Sequence, residues 1–179
     1  MRREDLLDLN DVLQHPGRKV AVDISTELSD EADIDLMSPL VGYLEAVSTG
    51  NILLITGEFT TRAVVECARC TEPLEKDLTF EIDEQFAVEG VPSSLSQQDF
   101  AKVVADEPYQ LFEENSLIVE ALLRQTLLLS LPLQPLCEYG WDGPCPVATQ
   151  RGVSTLRDRP GGVELGGLSK FLRTGDRER

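Results

Sequence analysis

Alternating apolar and polar residues predict a series of short strands over the first half of the chain. Val20, Val22 and Ile24 alternate with polar residues, as in a half-buried strand. In chain order, the candidate strands are residues 20–24, 40–47, 52–59, 62–66 and 78–82. Closely spaced strands joined by turns favour an antiparallel sheet over alternating β-α units. We therefore expect an antiparallel, partly closed sheet over residues 18–86.

Residues 116–131 form the long helical candidate of the chain. Apolar residues recur there at helical spacing, Asn115 or Ser116 is available as a cap, and Pro132 ends the pattern. More than half of the helix circumference is apolar, so we expect the helix to lie largely buried on the sheet. Together these elements predict a β-rich α+β domain over residues 1–150.

The remaining segments are shorter or less regular. Residues 6–13 show the spacing of a short amphipathic element that stops at Pro16. Residues 29–35 are acidic and residues 89–110 are rich in Gly, Pro and Ser, so both segments are expected to be loops. Residues 151–179 are rich in Gly and Arg, which predicts a flexible basic tail.

Charge divides the chain into an acidic body and a basic tail. The sequence holds 32 Asp and Glu against 16 Lys and Arg, for a formal net charge of −16. The acidic excess lies within residues 21–120, whereas residues 151–179 carry more bases than acids. This balance argues against a protein that coats duplex nucleic acid or adheres to anionic lipid. An acidic surface instead attracts a basic partner.

The chain shows no sign of a membrane span or a signal peptide. No apolar run approaches the roughly 20 residues that a membrane helix needs. Met1 to Asp8 carry both charge signs and lack the apolar stretch of a signal peptide. We therefore expect a cytoplasmic protein whose four cysteines are thiols or metal ligands rather than disulfides.

The sharpest chemical motif is Cys67-Ala68-Arg69-Cys70. Two residues between the cysteines let a tight turn direct both sulfurs at one tetrahedral ion, usually zinc. A second pair, Cys137 and Cys145, lies in a Gly-rich loop but lacks the same spacing. A structural zinc site formed by these four cysteines requires the fold to bring the two loops together. The alternatives are a redox dithiol, which needs a helix after the motif, and reduced thiols without a special role.

Catalytic patterns are sparse in this sequence. His15 is the single histidine and precedes Pro16 in a turn. The chain contains no phosphate-binding Gly loop, no dinucleotide fingerprint and no zinc-protease motif. We therefore expect no enzymatic activity.

Three segments together resemble the YceD family of large ribosomal RNA subunit accumulation proteins. The first is VVECARCTEPLEKDLTFEIDEQF, the second is SLIVEALLRQTLLLSLPLQPLC, and the third is the opening DLNDVLQHPGRKVAVDI. The resemblance covers residues 5–147. This chain departs from the family pattern where Trp141 and Ala148 stand in place of frequent cysteines, and Thr149 in place of a glycine.

The resemblance implies a non-enzymatic role in the accumulation of 23S ribosomal RNA and the large ribosomal subunit. Because the body of the chain is acidic, the expected partner is a basic ribosomal protein or large-subunit assembly factor. The basic tail could add a weak contact to ribosomal RNA. Two alternatives are a zinc-stabilised adaptor unrelated to ribosomes and a thiol oxidoreductase.

Overall fold

The computed structural model describes residues 6–28, 34–94, 100–104 and 110–153. Within these ranges no helix is both long and apolar enough to cross a bilayer. Residues 154–179, which make up most of the predicted tail, lie outside the described residues. In chain order, the elements are β1 (Leu6–Asp8), α1 (Asn10–Gln14), β2 (Lys19–Thr26), β3 (Asp35–Leu36), β4 (Leu40–Ser48), β5 (Ile52–Glu66), β6 (Pro73–Glu89), β7 (Lys102–Val103), β8 (Phe112–Glu113), β9 (Ser116–Ile118), α2 (Val119–Ser130) and α3 (Pro146–Gln150).

The chain divides into two compact units. The sheet unit comprises Met1–Val65 and Glu75–Leu133. The cysteine unit comprises Glu66–Leu74 and Gln134–Arg179, of which residues 66–74 and 134–153 are described. The predicted domain boundary at residue 150 stays a prediction.

The sheet unit is strand-rich, antiparallel and curled, as the residue pattern predicts. Its larger sheet has the strand order β2-β4-β5-β6-β7, with β3 paired to β5. A smaller sheet has the order β1-β9-β8. The two predicted strands at 52–59 and 62–66 are one continuous strand, β5.

The core of the sheet unit follows from the alternation along β5 and β6. Phe59 and Phe80 are buried, and their rings stack with centroids 5.8 Å apart. On β6 the residues between the buried positions are exposed and largely acidic, as the sequence pattern predicts. Gly42 of β4 is the cross-strand partner of Phe59. A Cβ atom added at Gly42 would lie 2.1 Å from the Glu58 carbonyl oxygen and 2.5 Å from the Phe59 ring.

The predicted helix at 116–131 is wrong at its start. Ser116–Ile118 form strand β9, which pairs with β1 and β8, and the helix begins at Val119. No side chain caps this helix. Instead, the Asn115 side chain accepts from the Val103 backbone N–H and donates to the Ala101 carbonyl oxygen. Sheet pairing therefore outweighs the helical spacing of these residues.

The helix is also less buried than its apolar sequence predicts. Leu122, Leu123 and Leu127 lie in the core, but Leu128 is 47% exposed and Leu129 is 79% exposed. A single face of the helix contacts the core, since an α-helix presents about one third of its circumference to a packed layer.

Two smaller expectations also change. The segment at residues 6–13 is a strand, β1, followed by the short helix α1, rather than one amphipathic element. The predicted loop at 89–110 contains strand β7, which pairs with the end of β6. In both places a few residues of sheet pairing are too short to leave a periodic signal.

We expect Phe59→Ala to lower the free energy of unfolding by about 3–5 kcal/mol, because it leaves a cavity beside Phe80 and uncovers Gly42. The measurement is urea unfolding followed by circular dichroism. Thr60→Ala, on the exposed face of the same strand, is the matched control and should change stability by less than about 0.5 kcal/mol. Equal effects of the two substitutions would contradict the assignment of Phe59 to the core.

Candidate functional site

The Cys67–Cys70 segment is the turn between the two longest strands. Strand β5 ends at Glu66 and β6 begins at Pro73. The Thr71 N–H donates to the Cys67 carbonyl oxygen at 2.9 Å, and the Cys67 N–H donates to the Glu72 carbonyl oxygen at 2.9 Å. These bonds close a tight turn that carries both cysteines.

The structure brings the four predicted cysteines into one cluster. The Sγ atoms of Cys67, Cys70 and Cys137 all lie within 4.8 Å of one another. The Cys145 side chain joins them through hydrogen bonds with Cys70 and Cys137. All four are free thiols, and Cys137 is the least buried of them. The two loops thus come together, which is the condition that a four-cysteine site requires.

Backbone N–H groups surround the sulfur of Cys67 and favour its ionised form. Burial raises the pKa of the Cys67 thiol, but hydrogen bonds from the N–H groups of Cys70, Arg69 and Cys137 outweigh burial and lower it to about 6. The Cys137 N–H donates to the Cys67 Sγ at 3.4 Å. Thiolates are the form in which cysteine binds metals.

The Cys70 side chain forms hydrogen bonds with the other three cysteines. The Glu72 N–H lowers its pKa, but burial and hydrogen bonds to Cys67, Cys145 and Cys137 outweigh that bond and raise the pKa to about 11. Four sulfurs about 2.3 Å from a tetrahedral ion would lie about 3.8 Å apart. The sulfurs of Cys67, Cys70 and Cys137, all within 4.8 Å of one another, are compatible with that spacing.

Two turns of the cluster share one hydrogen-bond pattern. The Cys67 sulfur accepts from the N–H groups two and three residues later, those of Arg69 and Cys70. The Cys145 sulfur accepts in the same way from Val147 and Ala148, and these bonds lower the pKa of Cys145 against the opposing effect of burial. Ala148, fully buried in the cluster, thus occupies the position that Cys70 has in the first turn.

Two arginines of the site were not anticipated as functional residues from the sequence. Arg151 donates to the Cys70 carbonyl oxygen, to the Thr71 hydroxyl and, at 3.1 Å, to a Glu72 carboxylate oxygen. Arg69 donates to carbonyl oxygens of the loop between Cys137 and Cys145. Both acceptors of Arg69 and one of the three acceptors of Arg151 are backbone oxygens, which leave no pattern in a sequence.

The cysteine unit has a very small apolar core. Its buried apolar residues are Cys67, Cys70, Cys145 and Ala148, with Leu74, Leu136, Cys137 and Val147 partly buried around them. Small domains often rely on a metal, a disulfide or a partner for part of their stability. The few apolar side chains buried among the described residues of this unit contribute little stability on their own.

The geometry argues against dithiol redox chemistry. Strand β6 follows the Cys67–Cys70 turn, whereas a thioredoxin-like dithiol needs a helix there. The low pKa of Cys67 favours a thiolate, but Cys67 is fully buried and Cys70 is 1% exposed. A substrate disulfide has no access to sulfurs in such positions.

A second feature lies on the exposed face of the large sheet. Cross-strand pairing places Tyr43 between Asp23 and Glu58, and we call these three residues the Tyr43 row. Tyr43 is 48% exposed, and both carboxylates are exposed. Among the described residues neither carboxylate forms an ion pair, whereas nearby Glu45 pairs with Lys19 at 2.7 Å. The strand register that forms this row could not be read from the sequence.

One family model and several uncharacterized proteins are similar to this chain. A family model described as "Large ribosomal RNA subunit accumulation protein YceD" matches residues 55–156. Uncharacterized proteins of Mycobacterium bovis and Mycobacterium tuberculosis are 29% identical over 157 residues, which is 87% of this chain and 66% of theirs. The chain thus spans just under two thirds of the length of these relatives. No solved structure matches the chain.

Proposed function

Because the chain belongs to the YceD family, we propose that it supports the accumulation of large-subunit ribosomal RNA as a binding factor and not as an enzyme. The family match over residues 55–156 is the observation that carries this proposal. The place of action would be the cytoplasm, where four free thiols remain reduced.

The proposed partner is a basic ribosomal protein or large-subunit assembly factor. The net charge of −16 repels bare RNA and attracts a cationic protein. Basic residues of the tail at 151–179 would add at most a weak contact to ribosomal RNA.

The Tyr43 row supports a protein partner over RNA. Facing side chains on neighbouring strands lie about 5 Å apart, so two carboxylates flank one exposed aromatic ring. A Lys or Arg side chain placed over the ring would gain both a cation–π contact and an ion pair. Val41, 50% exposed two residues along the same strand, extends this surface with an apolar contact.

The proposal includes a structural zinc ion held by Cys67, Cys70, Cys137 and Cys145. The convergence of the four sulfurs, the N–H groups directed at them and the small apolar core all support it. The ion would add a stabilising contact to the cysteine unit, and it has no catalytic role in this proposal.

Metal analysis of the purified protein tests the zinc site. We expect about one zinc per chain, lost in Cys137→Ser because three sulfurs leave the ion under-coordinated. Adding Ala148→Cys to that variant should restore zinc, because position 148 is equivalent to Cys70 in its turn. The control is the Cys137→Ser, Ala148→Ser double variant, which adds a hydroxyl instead of a thiol. Metal-free wild type would refute the site.

Ribosome sedimentation tests the biological role. Deleting the gene should lower the amount of large subunit relative to small subunit on sucrose gradients, and the wild-type gene should restore it. Unchanged large-subunit levels in the deletion strain would remove the proposed role altogether.

A binding experiment tests the kind of partner. Purified protein on beads is offered proteins extracted from large subunits and, separately, naked 23S ribosomal RNA fragments. We expect the wild-type protein to retain one or more basic proteins. The triple variant Asp23→Asn, Tyr43→Ala and Glu58→Gln should reduce this retention at least about tenfold, because it loses two charge pairs and an aromatic contact.

The matched control is Glu113→Gln with Glu114→Gln, which removes two exposed carboxylates, one at the end of β8 and one in the turn that follows it. This control should bind like wild type. Salt-sensitive retention of the RNA fragments without any ribosomal protein would contradict a protein partner.

A further inference from the structure

We propose that Arg69 is the positioning residue of the metal site, although it contributes no ligand atom. Its side chain would hold the loop between Cys137 and Cys145 on the Cys67–Cys70 turn. This inference rests on the proposed zinc site and adds to it the residue that sets its geometry.

The first support is a pair of hydrogen bonds made by one nitrogen. One terminal guanidinium nitrogen of Arg69 donates to the Gly140 carbonyl oxygen at 2.9 Å and to the Gly143 carbonyl oxygen at 2.8 Å. Both acceptors belong to the segment that joins Cys137 to Cys145. A single side chain thereby fixes the backbone between two of the four sulfurs.

The loop is folded so that both carbonyl groups can be reached at once. The Gly140 N–H donates to the Cys137 carbonyl oxygen at 3.0 Å, and the Gly143 N–H donates to the Tyr139 carbonyl oxygen at 2.9 Å. A Cβ atom at Gly143 would lie 2.2 Å from that Tyr139 oxygen, so this fold of the loop needs glycine. The loop is therefore folded in a way that lets the Arg69 side chain bond to the Gly140 and Gly143 carbonyl oxygens together.

The second support is the backbone of the same residue. The Arg69 backbone N–H donates to the sulfur of Cys67. Arg69 therefore contacts one cysteine through its main chain and the opposite loop through its side chain. No other described residue between the two cysteines of this turn has a side chain long enough to do both.

The third support is the burial of a charge. Arg69 is only 6% exposed, and its side-chain Nε has no hydrogen-bond partner among the described residues. A buried cation whose partners are neutral carbonyl groups is unfavourable unless negative charge lies close by. Four thiolates around a divalent ion carry a formal charge of −2 and would supply it.

The test compares Arg69→Met and Arg69→Lys with wild type. Zinc affinity is measured by competition with a chromophoric chelator, and site geometry by the visible absorption of the cobalt(II) form. We expect Arg69→Met to weaken zinc binding about 10- to 100-fold, as is usual for residues that orient metal ligands. It should also reduce the tetrahedral cobalt bands. The zinc affinity and cobalt bands of Arg69→Lys should lie between those of wild type and Arg69→Met, because lysine keeps the positive charge but lacks the planar guanidinium group.

The control is Arg62→Met, which removes an exposed arginine from β5 and should leave both readouts unchanged. If Arg69→Met does not fold, Arg69→Lys carries the comparison, and wild-type affinity together with wild-type cobalt bands in that variant would overturn the inference. So would wild-type values in folded Arg69→Met. A wild-type protein that binds neither zinc nor cobalt would instead refute the proposed metal site, and the two failures are thus distinguishable.

Discussion

The meeting of four cysteines, three of them buried, is the constraint on which the cysteine unit depends. Two short segments of chain meet there, and their common interior consists of cysteines and one alanine with a rim of partly buried side chains. Such an interior gains little from the hydrophobic effect. Its order instead comes from N–H groups directed at sulfur and from two arginines bonded to backbone oxygens. A cation at the centre of the sulfurs would complete this arrangement.

Much of the sheet unit could be predicted because its strands alternate. Residues such as Phe80 and Ile82 face the core while their neighbours face solvent, so a period of two is visible in the sequence. The strand Ser116–Ile118 could not be predicted, because Leu117 and Ile118 fit the helical pattern as well as they fit a strand. Their pairing with Leu6–Asp8 joins distant parts of the chain, and local periodicity does not report such contacts.

The candidate site could also be predicted only in part, because the sequence shows its cysteines but not the contacts between distant segments. Cys67 and Cys70 are conspicuous by their spacing, and Cys137 and Cys145 by their loop, so the four candidates could be named from the sequence. The role of Arg69 depends on two carbonyl oxygens that any residue carries. The Tyr43 row depends on strand register, which turn lengths and packing decide. Both kinds of contact join residues that are far apart in the sequence, so they become visible only once the fold is known.

The distance along the chain between the two cysteine segments has a consequence for the order of folding. Arg69 and its acceptors are 71 and 74 residues apart, so this contact closes a long loop, whereas the β4–β5 hairpin needs only a short turn. During synthesis the first two cysteines emerge well before their partners. Because the cluster cannot form until the second segment follows, we expect its completion to come later in folding than the closure of local hairpins.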